Sequence, residues 1–146
     1  MFTYGTSGSG KSQTIEGRSG DSGIVKYLGE NVFNLLEDKR YNNQISRFDI
    51  RIRFMEVIDE EVYDLLQPGA GNGFGKNNLR FHEWEGAMIQ GIKWLSVPSA
   101  HQLVEFFNGG ISNKTKRVTD IGNLRDKATQ LFQLEITQNT TDHSSG

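Results

Sequence analysis

Eight residues near the amino terminus, Gly5-Thr6-Ser7-Gly8-Ser9-Gly10-Lys11-Ser12, constrain this chain more than any other segment. They fit the pattern G-x-x-x-x-G-K-[ST], and each fixed position has a mechanical reason. Glycines let successive backbone N–H groups curl around phosphate oxygens. Lys11 is long enough to reach the β- and γ-phosphates of a nucleoside triphosphate, and the Ser12 hydroxyl suits the coordination shell of Mg²⁺. A helix opening at the end of the loop adds the positive end of its dipole. A glycine- and serine-rich surface loop with a nearby lysine has a similar composition, but context separates the two. Met1 to Tyr4 reads as a short β-like start before the loop, and Gly10 to Ile15 as a helix start after it. All eight residues are therefore candidate phosphate-binding positions, and Ser12 is the candidate metal ligand.

A phosphate loop normally follows a buried parallel strand. Here only Met1 to Tyr4 precede it. A strand that short needs parallel neighbours, so the expectation is that later strands supply them or that the chain is a piece of something longer.

The remaining pattern alternates helix and strand signals. Gly17 to Gly23 has loop composition. Asp21 or Ser22 is placed to cap a helix with apolar positions Ile24, Val25, Leu28, Val32, Leu35 and Leu36, ending near Asp38-Lys39-Arg40. Tyr41-Asn42-Asn43 reads as a turn. Phe48, Ile50, Ile52 and Phe54 alternate with Arg47, Asp49, Arg51 and Arg53, the period-two signature of a half-buried strand. Val57 to Leu66 reads as a turn and a short helix, and Gln67 to Gly73 as a flexible loop. Leu79 to Val97 reads as a β-hairpin turning near Glu85-Gly86. Ser99 and Gln102 form a capping-box pattern ahead of Leu103, Val104, Phe106 and Phe107. Asn108-Gly109-Gly110 is expected to interrupt or end that helix, and Ser112 to Lys127 to be loop. Phe132, Leu134 and Ile136 alternate as a last strand. Residues 139–146 have no apolar side chain and read as a disordered polar tail.

Composition narrows the function classes. At 146 residues, with 35% apolar and 23% charged, the chain is one domain with enough apolar sequence for a core. A net charge of −2 argues against nucleic acid as a bulk electrostatic partner. With no cysteine there is no disulfide framework or thiolate site, and His82, His101 and His143 lie too far apart for a metal-ligand spacing. No apolar run approaches membrane-span length, and the start lacks the regions of a signal peptide, so the default is a soluble intracellular protein with no membrane partner.

Within the phosphate-loop class, a GTPase needs a guanine-reading Asn-Lys-x-Asp, and Asn113-Lys114-Thr115-Lys116 lacks the aspartate. A small-molecule kinase needs a strand ending in a Mg-associated aspartate. Asp59 is a candidate, but it reads better as the start of the turn ahead of Glu60-Glu61.

Several segments, in order, resemble a kinesin motor domain. Phe2 to Gly17 is similar to the family's phosphate-loop segment, and Gly23-Ile24-Val25 to the helix start after it. Phe54 to Leu66 is the most specific match, resembling the family's E-I-Y-N-E-E-V-Y-D-L-L stretch. The 79–97 hairpin, the helix from Ser99 and Asn113-Lys114-Thr115 ahead of Phe132 follow in family order. The match covers 2–138; residues 1–138 are read as a partial motor domain, followed by the 139–146 tail. The resemblance implies an α/β phosphate-loop NTPase of kinesin type, with a central, mainly β-sheet flanked by helices and incomplete in this chain. It implies ATP and Mg²⁺ at Gly5 to Ser12, hydrolysis coupled to movement along microtubules, a tubulin contact at the hairpin Glu83 to Gly91, and a place in the cytoplasm on the cytoskeleton.

The departures from the family are concentrated at 122–129. There the family pattern N-x-x-S-S-R-S-H, its switch I, is met by Gly122 for the asparagine, and by Arg125, Asp126 and Ala128 for the three serines. Lys127 stands for the arginine and Thr129 for the histidine. Gln13 stands where the family often packs an aromatic or histidine on adenine. The switch II pattern D-x-x-G-x-E and the opening R-x-R-P segment do not occur in the chain. A motor ATPase and a nucleotide-binding, hydrolysis-deficient microtubule-binding or scaffold protein are both consistent with this pattern.

Overall fold

The alternating segment around Ile50 forms the strand on which the main sheet is built. The computed structural model describes residues 1–6, 8–18, 21–58, 61–67, 81–82, 88–89, 92–121 and 128–140. In chain order the elements are α1 (Lys11–Glu16), β1 (Gly17–Arg18), β2 (Asp21–Ser22), α2 (Ile24–Tyr41), β3 (Ile45–Ile58) and β4 (Glu61–Asp64). They continue with β5 (Phe81–His82), β6 (Met88–Ile89), β7 (Leu95–Ser96), α3 (Ala100–Ile121) and β8 (Thr129–Thr140). β4, β7 and β8 all pair with β3 in one four-stranded sheet. β4 and β7 run antiparallel to it. So does β8, because Ser46 meets Asn139, Arg51 meets Glu135 and Arg53 meets Gln133, in opposite order along the two strands. β1–β2 and β5–β6 are separate two-stranded ladders.

The chain divides into two compact units. The first comprises Met1–Ile50, Val97–Val104 and Ile136–Gly146. Its core is Val25, Phe33, Leu36, Ile45, Ile50, Val97 and Leu103. α2 turns Val25, Gly29, Phe33 and Leu36 inward, at spacings of four, four and three. That face is rotated from the one expected: Ile24, Leu28 and Leu35 are exposed, and Phe33 sits edge-on to Phe48 at 6.3 Å. The cap differs too. Asp21 and Ser22 are taken up by the β1–β2 ladder, and Gly23 becomes the N-cap without a side-chain bond. Any Cβ on Gly23 would lie 2.3 Å from the Ile15 carbonyl oxygen, so only glycine fits where α2 starts against the end of α1.

The second unit comprises Arg51–Ser96 and Glu105–Glu135. Ile52, Phe54, Met55, Ile58, Val62, Leu65, Ile92 and Phe107 are buried in it. Phe54 stacks on Phe107 at 5.2 Å, and Phe132 stands edge-on to both, at 5.5 and 5.2 Å. On the polar face Arg51 pairs with Glu135 at 2.7 Å, and Arg53 donates to Gln133 and lies over the Trp94 ring.

Four expectations are corrected here. The short helix within Val57 to Leu66 is a strand: β3 continues to Ile58, and β4 pairs Val62 with Val57 and Tyr63 with Glu56. β-branched and aromatic side chains on a sheet surface decide that competition. The expected hairpin from Leu79 to Val97 is shorter. Phe81 pairs with Ile89 and His82 with Met88, whereas Leu95–Ser96 joins β3; the turn at Glu85-Gly86 lies outside the described residues. α3 is capped as expected, with the Gln102 N–H donating to Ser99 Oγ at 3.2 Å. It does not stop at Asn108-Gly109-Gly110 but runs to Ile121, through most of the segment expected to be loop. Finally, β8 reaches Thr140, so Asn139 and Thr140 are strand residues; 141–146 lie outside the described residues. No described helix is long and apolar enough to cross a membrane.

Candidate functional site

None of the described residues among the first ten lies in a strand. Met1, Phe2 and Tyr4 are 86%, 87% and 94% exposed, against the expectation of a β-like start. Nothing among the described residues pairs with them, and a strand exists only with a partner. The loop that follows is ordered by its own backbone. Ser9 N–H donates to the Thr6 carbonyl at 3.2 Å. Gly8 and Gly10 have φ of 82° and 89°, in the left-handed region that glycine enters without steric cost. Gly10 is the N-cap of α1, and its carbonyl receives both the Thr14 N–H at 3.0 Å and the Thr14 hydroxyl at 3.2 Å. Thr14 thus braces the first turn, a role the loop pattern does not include.

Lys11 turns back into the loop. Its Nζ donates to the carbonyls of Gly5 and Thr6, each at 2.7 Å. The ammonium is held across the loop by the residues that open it. An ammonium has three donor hydrogens, one more than these two carbonyls take. Ser12 and Gln13 are both exposed on α1. Gly5, Thr6, Gly8, Ser9 and Ser12 are exposed and Gly10 and Lys11 half-buried, while Ser7 lies outside the described residues. The arrangement fits Mg²⁺ with a triphosphate: a hydroxyl at the first helical turn, a lysine across the mouth, and backbone bent by glycines.

Other candidate positions fare differently. Asn113 serves the fold, its Nδ2 donating to the Leu65 carbonyl at 2.8 Å. Asp59 and residues 122–127 lie outside the described residues; Ala128 is half-buried and Thr129 opens β8. Of the Glu83 to Gly91 hairpin only Met88–Ile89 is described. Two buried acids went unnoticed in the sequence, Glu56 and Asp64. Asp64 Oδ1 accepts the Leu66 N–H at 2.9 Å, and desolvation by burial raises its pKa above the usual aspartate value, with the hydrogen bonds from Leu66 and Gln67 opposing.

The kinesin motor domain profile matches residues 1–146. The chain belongs to the kinesin motor domain family. Human kinesin-like protein KIF18B is 31% identical over 138 residues, 94% of this chain and 15% of that protein. Human kinesin-like protein KIF16B is 28% identical over 94% of this chain and 10% of its own length. A solved structure of a fast kinesin superposes with a TM-score of 0.78 at 24% identity, over 99% of this chain and 40% of that one. The chain thus has a kinesin-type fold, an open antiparallel sheet flanked by helices, and spans a minor part of these relatives.

Proposed function

We propose that this kinesin-family chain is the ATP-binding part of a kinesin-like microtubule motor. The observation that carries this reading is the Lys11 ammonium, drawn to 2.7 Å from the Gly5 and Thr6 carbonyls inside a family-type phosphate loop. Gly5, Thr6, Ser7, Gly8 and Gly10 would offer backbone N–H groups to the β- and γ-phosphates, and the Ser9 N–H would leave the Thr6 carbonyl to join them. Lys11 leaves its carbonyl partners to donate to phosphate, and Ser12 holds Mg²⁺. When bound, the metal neutralises charge developing on the phosphate oxygens. Microtubules are the proposed partner and the cytoskeleton of the cytoplasm the proposed site of action. The domain is proposed to span 1–138.

The residues at 122–129 favour slow turnover. Phosphoryl transfer depends almost wholly on positioning and electrostatics. In the switch I alignment Asp126 puts a negative charge where the family has a serine, Ala128 has no hydroxyl, and Lys127 lacks the planar fork with which arginine grips a carboxylate. Each lost transition-state contact costs on the order of 10²–10³ in rate. The protein is therefore expected to bind ATP, hydrolyse it very slowly and respond little to microtubules. Steady-state phosphate release with and without microtubules tests this. Turnover within the ordinary enzyme range, about 1–10³ per second, contradicts the slow-turnover reading. No displaceable binding of a fluorescent ATP analogue in Mg²⁺ contradicts both readings.

A further inference from the structure

α3 carries two adjacent glycines, and only one has a packing reason. A Cβ on Gly110 would lie 2.4 Å from Phe54 Cδ1 and 2.8 Å from Cε1, so glycine there lets the helix backbone approach the ring. A Cβ on Gly109 would meet nothing within 4 Å, and the residue faces solvent. Any side chain fits at 109, yet the position is occupied by a residue that weakens an exposed helix interior. Relative to alanine, glycine favours local opening by roughly fivefold.

Each side of this point has ties of its own. Upstream, Ser99 caps the first turn, Leu103 is fully buried, and Phe107 stacks on Phe54. Downstream, Ile111, Asn113 and Lys114 are half-buried and Ser112 is exposed. Here Asn113 Nδ2 donates to the Leu65 carbonyl just beyond β4.

We propose that Gly109 is a joint built into α3 and that the Asn113–Leu65 hydrogen bond is the latch that closes it. When the latch is made, α3 is continuous to Ile121. When it opens, the helix ends at Asn108, the Ile111–Ile121 stretch is released, and Ala100–Phe107 stays docked. Opening of this kind is a local equilibrium, separate from global unfolding. Gly110 gives the closed state its close fit on Phe54, and Gly109 makes that state easy to leave.

Amide hydrogen exchange on the full chain tests the joint. Gly109→Ala meets no neighbour and is expected to fold as the parent does. It should slow exchange in Ile111–Lys114 about fivefold, with Ala100–Phe107 and α2 unchanged. Asn113→Ala should speed exchange in the same stretch and leave Ala100–Phe107 unaffected. Unchanged exchange beyond residue 109 in Gly109→Ala, or slowing spread equally over both helices, overturns the joint. Unchanged exchange in Asn113→Ala overturns the latch.

Discussion

Around Phe54 three aromatic rings close on one another, whereas between Gly5 and Ser12 most of the described residues are open to water. Phe54 is 1% exposed and Phe107 3%, and Gly110 gives up its Cβ to let α3 reach the ring. In the loop, Thr6, Gly8, Ser9 and Ser12 are exposed, and order comes from short-range bonds: Ser9 to Thr6, Thr14 to Gly10, Lys11 to Gly5 and Thr6. The first region is specified by shape, the second by backbone geometry and one charge. Substitutions should therefore act on stability in one and on ligand affinity in the other.

The largest expected effect tests the aromatic side of that contrast. Phe54→Ala removes the ring that Phe107 and Phe132 share and should cost about 3–5 kcal/mol, seen as a large drop in the denaturation midpoint. A midpoint close to the parent's would mean that the cluster does not hold the second unit together.

A smaller effect concerns the buried Asp64 in the same unit. Its folded-state pKa is raised, mainly by desolvation, so the folded chain holds this proton more readily than the unfolded chain. The stability it contributes is full below the unfolded aspartate pKa and is lost as pH rises through the raised folded value. Asp64→Asn keeps an oxygen for the Leu66 N–H and cannot ionise. Thermal melts across the acidic range should show the parent losing stability relative to the Asn variant as pH rises. A parent that gains on the variant over that range would show that the charged form is favoured by the fold.

Much of this was legible in the sequence, for identifiable reasons. The helix opening after Gly10, the Phe48–Phe54 strand, the Ser99 cap and the Phe132–Ile136 strand rest on local rules, and each lies where spacing put it. The helix expected in Val57–Leu66 became β4 because cross-strand pairing with Met55–Ile58 outweighed local preference. α3 passed through Asn108-Gly109-Gly110 because Phe54 needs the close approach at Gly110, a tertiary contact that no local pattern encodes. The buried face of α2 was misjudged for the same reason: Gly29 packs inward because Leu103 approaches it, and a glycine carries no hydropathy signal. Within the loop, the positive φ at Gly8 and Gly10 follows from residue type, but the bracing by Thr14 does not.

Lys11 is the charged side chain that turns back across the loop, so nucleotide binding depends first on it. Titrating parent and Lys11→Ala with a fluorescent ATP analogue in Mg²⁺, with thermal melts in parallel, separates affinity from stability. Mg-ATP affinity should fall at least roughly tenfold, as for the removal of a charge-assisted phosphate contact, with the melt unchanged. Unchanged affinity would contradict this and place the nucleotide, if any binds, away from Gly5–Ser12.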